Sequence, residues 1–164
     1  MKTKKAYLAG GCFWGMEELF RAFPGIMGTR VGYMGGETEN PTYRNHAGHA
    51  EALEIEYDAD EIDYSTVLDY FFRIHDPTTL NQQGNDRGDS YRSAIFFEDD
   101  EQLQTAEDFI KIVNDSGRWP NPVVTSLEEF EAFYLAEDYH QDYLQKSPNG
   151  YTCHYVRWPT YITS

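Results

Sequence analysis

The sequence predicts an α+β fold, a two-layer sandwich in which helices pack on one mainly antiparallel sheet. Its predicted elements follow in the order β-α-β-β-α-β, which is the split arrangement of ferredoxin-like domains. Residues 50–57 alternate between two faces, as a strand with one apolar face does. At 164 residues the chain has the usual size of one domain. We therefore expect a single domain over 1–164, with a core at about 5–126, extra strands, and a long C-terminal arm at about 127–164.

The first strand and the first helix are predicted by a short apolar run followed by a helical spacing. The run Ala6-Tyr7-Leu8-Ala9 is bounded by glycine, which is typical of a short strand. Four large apolar residues then recur at the i, i+3, i+4, i+7 positions of an amphipathic helix: Met16, Leu19, Phe20 and Phe23. The Phe-Pro-Gly sequence that follows ends this helix.

The remaining elements are predicted from the same two periodicities and from turn residues. Strands are expected at 29–33, 50–57 and 91–97, with an edge strand at 123–125. Helices are expected at 63–74, capped at its start by Asp63, and at 100–114, closed by Gly117. In the arm, aromatic residues among acidic ones predict a further helix over 130–146, followed by a loop-like tail.

Composition restricts the partners and the compartment. Thirteen basic and twenty-eight acidic residues give a formal charge of −15, which opposes binding to nucleic acid or to an anionic membrane. The basic start Met1-Lys2-Thr3-Lys4-Lys5 precedes an apolar run too short for an export signal or a membrane span. Two cysteines do not make a disulfide framework, so we expect reduced thiols and a cytoplasmic protein. A monomer is the default expectation.

Cys12 lies in Gly10-Gly11-Cys12-Phe13-Trp14-Gly15, between the first strand and the first helix. The glycines permit a tight turn, and the free N–H groups of a helix start favour negative charge, so the position predicts a thiol shifted toward thiolate. Phe13 and Trp14 would form an aromatic wall beside the sulfur, suited to a small apolar group. The residues alone leave open a second interpretation, that Cys12 is only a buried core side chain.

Glu51 falls on the apolar face of the predicted strand 50–57, together with Leu53, Ile55 and Tyr57. A desolvated carboxyl group has a raised pKa and can stay protonated as a proton donor near neutral pH. The alternative, a solvated glutamate at a strand end, is the commoner one for such a pattern.

The histidines carry no metal signature. His46 and His49 lie in the polar loop at 37–48, but no third and fourth ligand follows at a matching spacing, so we expect no metal site. His140 falls within the predicted arm helix and is interpreted as structural.

Two further stretches leave structure and function open. The connection 78–90 is rich in Asn, Gln, Gly and Asp and longer than a simple link needs, and long ordered loops are often functional. Cys153, the second cysteine, lies in the tail. It is either an idle thiol or the partner of an oxidised Cys12, which a flexible tail would permit.

Six motifs resemble those of one enzyme family. In chain order they are Gly10-Gly11-Cys12-Phe13-Trp14-Gly15, Gly48-His49-Ala50-Glu51, Gln83-Gly84-Asn85-Asp86-Arg87-Gly88, Tyr91-Arg92-Ser93, Tyr139-His140-Gln141 and Pro148-Asn149-Gly150-Tyr151. They cover nearly the whole chain, which resembles the peptide methionine sulfoxide reductase A family. This resemblance implies repair of oxidative damage by thiol-dependent reduction of methionine S-sulfoxide in proteins, in peptides or as the free amino acid. It also implies the ferredoxin-like fold, and neither cofactor nor metal, since the electrons pass through thiols alone.

The resemblance implies roles for individual residues. Cys12 would attack the sulfoxide sulfur while Glu51 donates a proton to its oxygen, leaving methionine and a Cys12 sulfenic acid. Cys153 would form a disulfide with Cys12, and thioredoxin would reduce it. Five residues would bind the substrate, namely Phe13 and Trp14 at the S-methyl group, Tyr43 and Tyr91 at the sulfoxide oxygen, and Asp86 in the loop that shapes the site.

One segment departs from the family pattern. Many members carry a longer segment with a further cysteine between the residues that match Tyr43 and His49, whereas this chain has only Arg44-Asn45-His46-Ala47-Gly48 there. A relay of three cysteines is therefore excluded, and the position of Tyr43 depends on the shortened segment.

Two other classes compete with the reductase. A thiol hydrolase would pair Cys12 with a histidine and would need no reductant; four histidines are available for that pair, namely His49, His75, His140 and His154. A non-enzymatic module would hold methionine-containing partners on its aromatic surface, with Cys12 as a buried bystander. Slow alkylation of Cys12 at neutral pH would favour the binding module.

Overall fold

The computed structural model describes residues 2–162 and contains eight strands and four α-helices within that range. The strands are β1 Thr3–Gly10, β2 Ile26–Met34, β3 Ala50–Asp58, β4 Gln82–Gln83, β5 Asp86–Arg87, β6 Ser93–Phe97, β7 Ser126–Glu129 and β8 Tyr134–Leu135. The helices are α1 Phe13–Arg21, α2 Tyr64–Ile74, α3 Asp100–Asp115 and α4 Tyr143–Lys146. Short 3₁₀ turns lie at Asp89–Tyr91 and Asp138–His140.

Six of the strands form one sheet in the order β7-β6-β1-β3-β2-β8. All neighbours are antiparallel except β6 and β7. The chain order β1-α1-β2-β3-α2-β6 and the central strand order β6-β1-β3-β2 are those of the predicted split arrangement. The predicted α+β class with a mainly antiparallel sheet is therefore confirmed, and β7 and β8 are the extra strands at its two edges.

The two faces of the sheet are covered by different parts of the chain. On one face, residues of β1, β2 and β3 pack with the apolar sides of α1, α2 and α3 in the larger core cluster. On the other face, small residues such as Ala50 and Ala52 leave room for the arm, which lays Phe130 and Phe133 against Tyr7. The alternation along β3 therefore places Glu51 on the helix-covered face, because the side chains of successive residues point to opposite faces.

Helix starts follow the predicted capping chemistry. The Asp63 carboxylate accepts the N–H of Thr66 at 2.9 Å, and helix α2 begins at the next residue, as expected. Helix α3 extends one residue beyond its predicted end and is followed by Gly117 with φ +71°. No helix within residues 2–162 is long and apolar enough to cross a membrane.

Two predictions for the C-terminal part of the chain are wrong. Residues 130–146 do not form one helix, because the N–H of Ala136 is bonded to Val31 of β2 and Asp142 adopts a left-handed conformation with φ 55°. The edge strand is β7 rather than 123–125, because the N–H groups of Val123 and Val124 are bonded outside the sheet. Tertiary hydrogen bonds override the local pattern at both places.

Candidate active site

Cys12 lies at the junction of β1 and α1, as predicted, and is the N-cap residue of the helix. Its side chain is buried, with 6% of the residue exposed. Gly11 before it has φ +96°, a conformation that L side chains rarely adopt, and a Cβ there would lie 2.6 Å from the Gln83 side chain. The backbone N–H of Trp14, in the first turn of α1, lies near the Cys12 sulfur and lowers its pKa. The turn therefore holds the thiol rigidly over the first turn of α1.

The predicted shift of the Cys12 thiol toward thiolate is wrong. The pKa of the thiol is raised well above its usual value, first by burial and then by the neighbouring Glu51 and Asp86. The backbone N–H of Trp14 lowers the pKa of Cys12, as expected for a helix start, but this effect is smaller than that of burial. Cys12 is therefore a neutral thiol in the resting protein.

Glu51 lies in β3, paired with Tyr33 of β2, and only 1% of the residue is exposed. Its Oε1 accepts the N–H of Phe13 at 3.2 Å, and its Oε2 is buried without a hydrogen-bond partner. Burial raises its pKa to about 8, with a further contribution from Asp86, although the Phe13 N–H opposes the shift. The predicted desolvated, protonatable carboxyl group is confirmed, and one of its two oxygens has no hydrogen-bond partner within the described residues.

An aromatic cluster surrounds the first turn of α1. The Trp14 ring stacks on Tyr143 at 3.8 Å, and its indole N–H donates to Nδ1 of His140 at 3.0 Å. Phe13 is almost fully buried. The ring of His140 lies 5.2 Å from that of Phe13 and 4.5 Å from that of Tyr43. Rings fixed in this way form an apolar wall beside the thiol.

The side chains of Tyr43 and Tyr91 lie close to each other, and Tyr91 opposes the rise in the pKa of the Tyr43 hydroxyl. Burial and the nearby Glu51 raise the pKa of both, so both remain protonated donors. Both also interact electrostatically with Cys12. The shortened segment thus still brings Tyr43 into the neighbourhood of the thiol and the acid.

The position of Tyr43 depends on Glu137 of the arm. The Glu137 carboxylate accepts the N–H of Tyr43 at 3.0 Å and the hydroxyls of Tyr33 at 2.8 Å and Tyr139 at 3.1 Å. Partial burial alone would raise the pKa of this carboxyl, but the hydrogen bonds together lower it to about 2. Glu137 therefore carries a full negative charge. Its hydrogen bonds connect the loop that contains Tyr43 to Tyr33 of β2.

Asp86 connects the loop 78–90 to the second cysteine. The loop is the hairpin of β4 and β5, and Asp86 accepts the hydroxyl of Tyr151 at 3.1 Å. Tyr151 also lies close to Cys153 and lowers the pKa of its thiol, and a Cβ on Gly84 would lie 3.6 Å from the Cys153 sulfur. Both cysteines are free thiols. The hairpin therefore touches the segments of both cysteines, with Gln83 beside Gly11 and Gly84 beside Cys153.

All eight residues singled out in the sequence meet in this region. Glu51 of β3, Asp86 of the hairpin and the aromatic cluster come from segments that are far apart in the chain. Sequence reasoning missed several contributors to the same region: Gln83, Glu137, His140, Tyr143 and Tyr151. Three of these lie inside motifs quoted above, so the motifs contained a signal for His140, Gln83 and Tyr151, whereas Glu137 and Tyr143 had none.

The histidine rings are engaged by other groups. Their hydrogen bonds run from His49 Nε2 to Thr38 O, from His75 Nε2 to Ser93 Oγ, from His154 Nε2 to Gly10 O, and from Trp14 to His140 Nδ1. Burial lowers the pKa of His75 to about 3 and that of His154 to about 4, so both rings are neutral. Within residues 2–162, no three His, Cys, Asp or Glu side chains are grouped as metal ligands would be.

Comparison with known proteins agrees with this geometry. The family model "Peptide methionine sulfoxide reductase" matches residues 4–162. The chain is 60% identical over 155 residues to a peptide methionine sulfoxide reductase MsrA of Nocardia farcinica, covering 94% of this chain and 91% of the relative. Among solved structures, reduced Mxr1 from Saccharomyces cerevisiae superposes with a TM-score of 0.84 at 38% identity, covering 96% and 93% of the two chains. The Mxr1 structure in complex with Trx2 gives a TM-score of 0.62 at 29% identity, covering 96% and 91%. The chain therefore belongs to the peptide methionine sulfoxide reductase family.

Proposed function

We propose that this chain reduces methionine S-sulfoxide, in proteins, in peptides or free, to methionine through the thiol of Cys12. One observation carries the proposal: a buried Glu51 with a pKa raised to about 8 and one unpartnered oxygen, beside a buried thiol on the first turn of α1. A neutral acid next to a nucleophile suits a substrate whose oxygen must leave with a proton. Membership of the family supports the same reaction.

In the first step, Glu51 donates its proton to the sulfoxide oxygen, which makes the substrate sulfur more electrophilic. The Cys12 sulfur then attacks the substrate sulfur, and the thiol proton passes to the Glu51 carboxylate. The hydroxyl group moves from the substrate sulfur to the Cys12 sulfur, and the sulfur–sulfur bond breaks with its electron pair left on methionine. Methionine sulfoxide and a thiol become methionine and a sulfenic acid, with no net change in protons. The raised pKa of Cys12 fits this order, because the thiol ionises only when protonated Glu51 has given up its proton to the substrate.

The substrate is held by the two kinds of group around the thiol. The aromatic wall of Phe13 and Trp14 suits the S-methyl group, and the neutral hydroxyls of Tyr43 and Tyr91 can donate to the sulfoxide oxygen. Asp86 holds the hairpin beside the site through its bond to Tyr151. A fixed methyl site on one side and fixed oxygen donors on the other select one epimer at sulfur.

In the second step, the Cys153 thiol attacks the Cys12 sulfenic acid, and the two sulfurs form a disulfide with loss of water. The contact of Cys153 with Gly84, in the same hairpin that touches Gly11, supports this pairing. Thioredoxin then reduces the disulfide by dithiol exchange, returning both thiols. The complex of the related Mxr1 with Trx2, a thioredoxin, supports this reductant.

The wider assignment belongs to the same proposal. We place the reaction in repair of oxidative damage, in the cytoplasm, by a monomer that is one domain over 1–164 with its arm at 127–164. Two free thiols suit a reducing compartment. The net charge of −15 opposes nucleic acid and membrane partners. The proposed steps use no cofactor and no metal.

The experiment is a reductant-free quench with separated sulfoxide epimers, in which methionine and free thiols are counted together. We expect about one methionine per enzyme from the S epimer alone, and loss of both thiols. Ester or amide turnover without methionine would support the hydrolase, and no reaction with either epimer would support the binding module. Slow alkylation no longer separates the module from the reductase, since a protonated Cys12 is expected to alkylate slowly in both.

A further inference from the structure

His154, the residue that follows Cys153, is buried, although Cys153 before it is only half-buried and Tyr155 after it is exposed. Its Nε2 donates to the carbonyl oxygen of Gly10 at 2.7 Å. Gly10 ends β1 and precedes Cys12 by two residues. One buried hydrogen bond therefore joins the residue after the second cysteine to the strand end that carries the first.

Gly11 and Gly15, which precede and follow Cys12 in the sequence, leave room for the His154 ring because they have no side chains. A Cβ on Gly15 would clash with His154 Nδ1 and Thr152 Oγ1, and a Cβ on Gly11 would lie 3.3 Å from His154 Nε2. The N–H of His154 donates to Thr152 Oγ1 at 3.2 Å, which fixes the backbone between Thr152 and His154. The ring thus lies directly on the backbone of the Cys12 turn, with Cys153 held in the short segment between.

The tail is anchored again further on, at a different surface. The N–H of Arg157 donates to Arg73 O at 2.8 Å, and the N–H of Tyr161 donates to Asp69 Oδ1 at 2.6 Å, both on α2. These contacts hold the tail against the protein but do not reach the Cys12 turn. His154 provides the hydrogen bond that joins the Cys153 segment to that turn.

We propose that His154 is a positioning residue for disulfide formation, since its bond to Gly10 holds the Cys153 sulfur where it can attack the Cys12 sulfenic acid. This inference rests on the proposed function. In the step itself the Cys153 thiol displaces the hydroxyl group of the sulfenic acid, the sulfur–sulfur bond forms, and water leaves. His154 touches neither sulfur and supplies no proton. Its contribution is a high local concentration of the Cys153 thiol at the Cys12 sulfenic acid.

Three substitutions test which property of the ring matters. His154→Ala removes both the bond and the packing, whereas His154→Gln keeps an amide N–H at about the reach of Nε2 and can still donate to Gly10. His154→Asn carries its amide too close to the backbone for that bond, so it replaces the alanine variant should the latter fail to fold. Arg118→Gln is the matched control, because Arg118 donates to Pro159 O at 2.6 Å and Thr160 O at 3.0 Å and so holds only the distal tail.

Each variant is mixed with one equivalent of methionine S-sulfoxide without reductant. Methionine, free thiols and sulfenic acid trapped by a 1,3-dione are followed with time. We expect His154→Ala and His154→Asn to form methionine at the wild-type rate but to close the disulfide roughly tenfold more slowly, with sulfenic acid accumulating. His154→Gln should recover most of the closing rate, and Arg118→Gln should stay within about twofold of wild type.

Equal rates of disulfide closure in wild type, His154→Ala and His154→Asn would overturn the proposal, as would a glutamine variant as slow as alanine. Slow methionine formation in His154→Ala would also overturn it, because the ring would then act on Cys12 itself. Wild-type protein that forms methionine but retains one thiol would overturn the role of Cys153 and with it this inference. Wild type without methionine would instead refute the proposed function.

Discussion

The two cysteines lie in segments of opposite construction. Cys12 follows a central strand and begins a helix, so the sheet ladder and the helix hold its backbone. Cys153 lies in a segment without helix or strand, held by contacts of individual side chains such as Tyr151 and His154. This difference suits the proposed reaction, in which Cys12 needs a fixed position for one substrate, whereas Cys153 must react first with Cys12 and its disulfide then with a reductase. Its attachments are therefore few and separately breakable.

The largest expected effect is that of removing the second thiol. Cys153→Ser should still form about one methionine per enzyme, because the Cys12 turn does not depend on the tail's sulfur. Steady-state turnover with thioredoxin should be lost, since no disulfide can form. Methionine formed per enzyme in a quench, compared with thioredoxin-coupled turnover, measures both. Normal turnover with thioredoxin would mean that thioredoxin reduces Cys12 directly and that Cys153 takes no part in the reaction.

The second largest effect is expected at Glu51 and concerns methionine formation alone. Glu51→Gln should slow the first step by roughly 10²- to 10⁴-fold, the usual reach of general acid catalysis, and should leave disulfide closure unaffected. Single-turnover methionine formation measures it. Glu54→Gln is the matched control, because Glu54 is also buried in β3 but is bonded to Tyr7 and Arg30. A first step unchanged in Glu51→Gln would remove Glu51 from the mechanism.

The pH dependence of the first step should follow the same carboxyl group. Glu51 is the active acid only while protonated, and its pKa is about 8. The single-turnover rate should therefore fall as pH rises through about 8, approaching tenfold per pH unit above it. Stopped-flow rates between pH 6 and about 10 test this. Glu51→Gln should lack the inflection; an identical inflection in the variant would assign it to another group.

The smallest effect is expected at Glu137, the arm residue that holds Tyr43 in place. Glu137→Gln removes the charge that holds Tyr43, and the tyrosine loop should loosen. We expect roughly tenfold lower kcat/KM, mostly through KM, since hydrogen bonds to a charged acceptor contribute about 1.5–3 kcal/mol. Tyr139→Phe, which removes one exposed donor to the same carboxylate, is the control and should change kcat/KM by less than about threefold. Loss of kcat with unchanged KM would contradict the positioning role.

The regions differ in how far the sequence predicts them. The element order and the place of Cys12 and Glu51 follow from periods of two and 3.6 residues and from glycine turns, which are local properties. The breakdown of residues 130–146 into β8, a 3₁₀ turn and α4 depends on the edge of β2 and on an open sheet face, and these exist only in the folded protein. Tyr143 and Glu137 enter the site through that arm and could not be placed from local pattern.

The ionisation of Cys12 shows the same limit. The helix start that predicts a lowered pKa is present, but the opposing effects of burial, Glu51 and Asp86 come from segments distant in the chain. For Glu51 the strand alternation itself predicts burial, so the direction of its pKa shift could be predicted from the sequence. A pKa is predictable from sequence when one local pattern dominates its environment, and Cys12 is not such a case.

The unpartnered oxygen of Glu51 also has a consequence for the energetics of folding. The folded chain keeps the Glu51 proton up to about pH 8, whereas the unfolded chain releases it near 4.5. Between these values the folded state binds more protons, so the free energy of unfolding falls as pH rises. Glu51→Gln should therefore melt several degrees higher than wild type at pH 8, and at nearly the same temperature at pH 4, where both forms of the chain are protonated. The acid to which we assign the first step is thus expected to lower thermal stability in the neutral range.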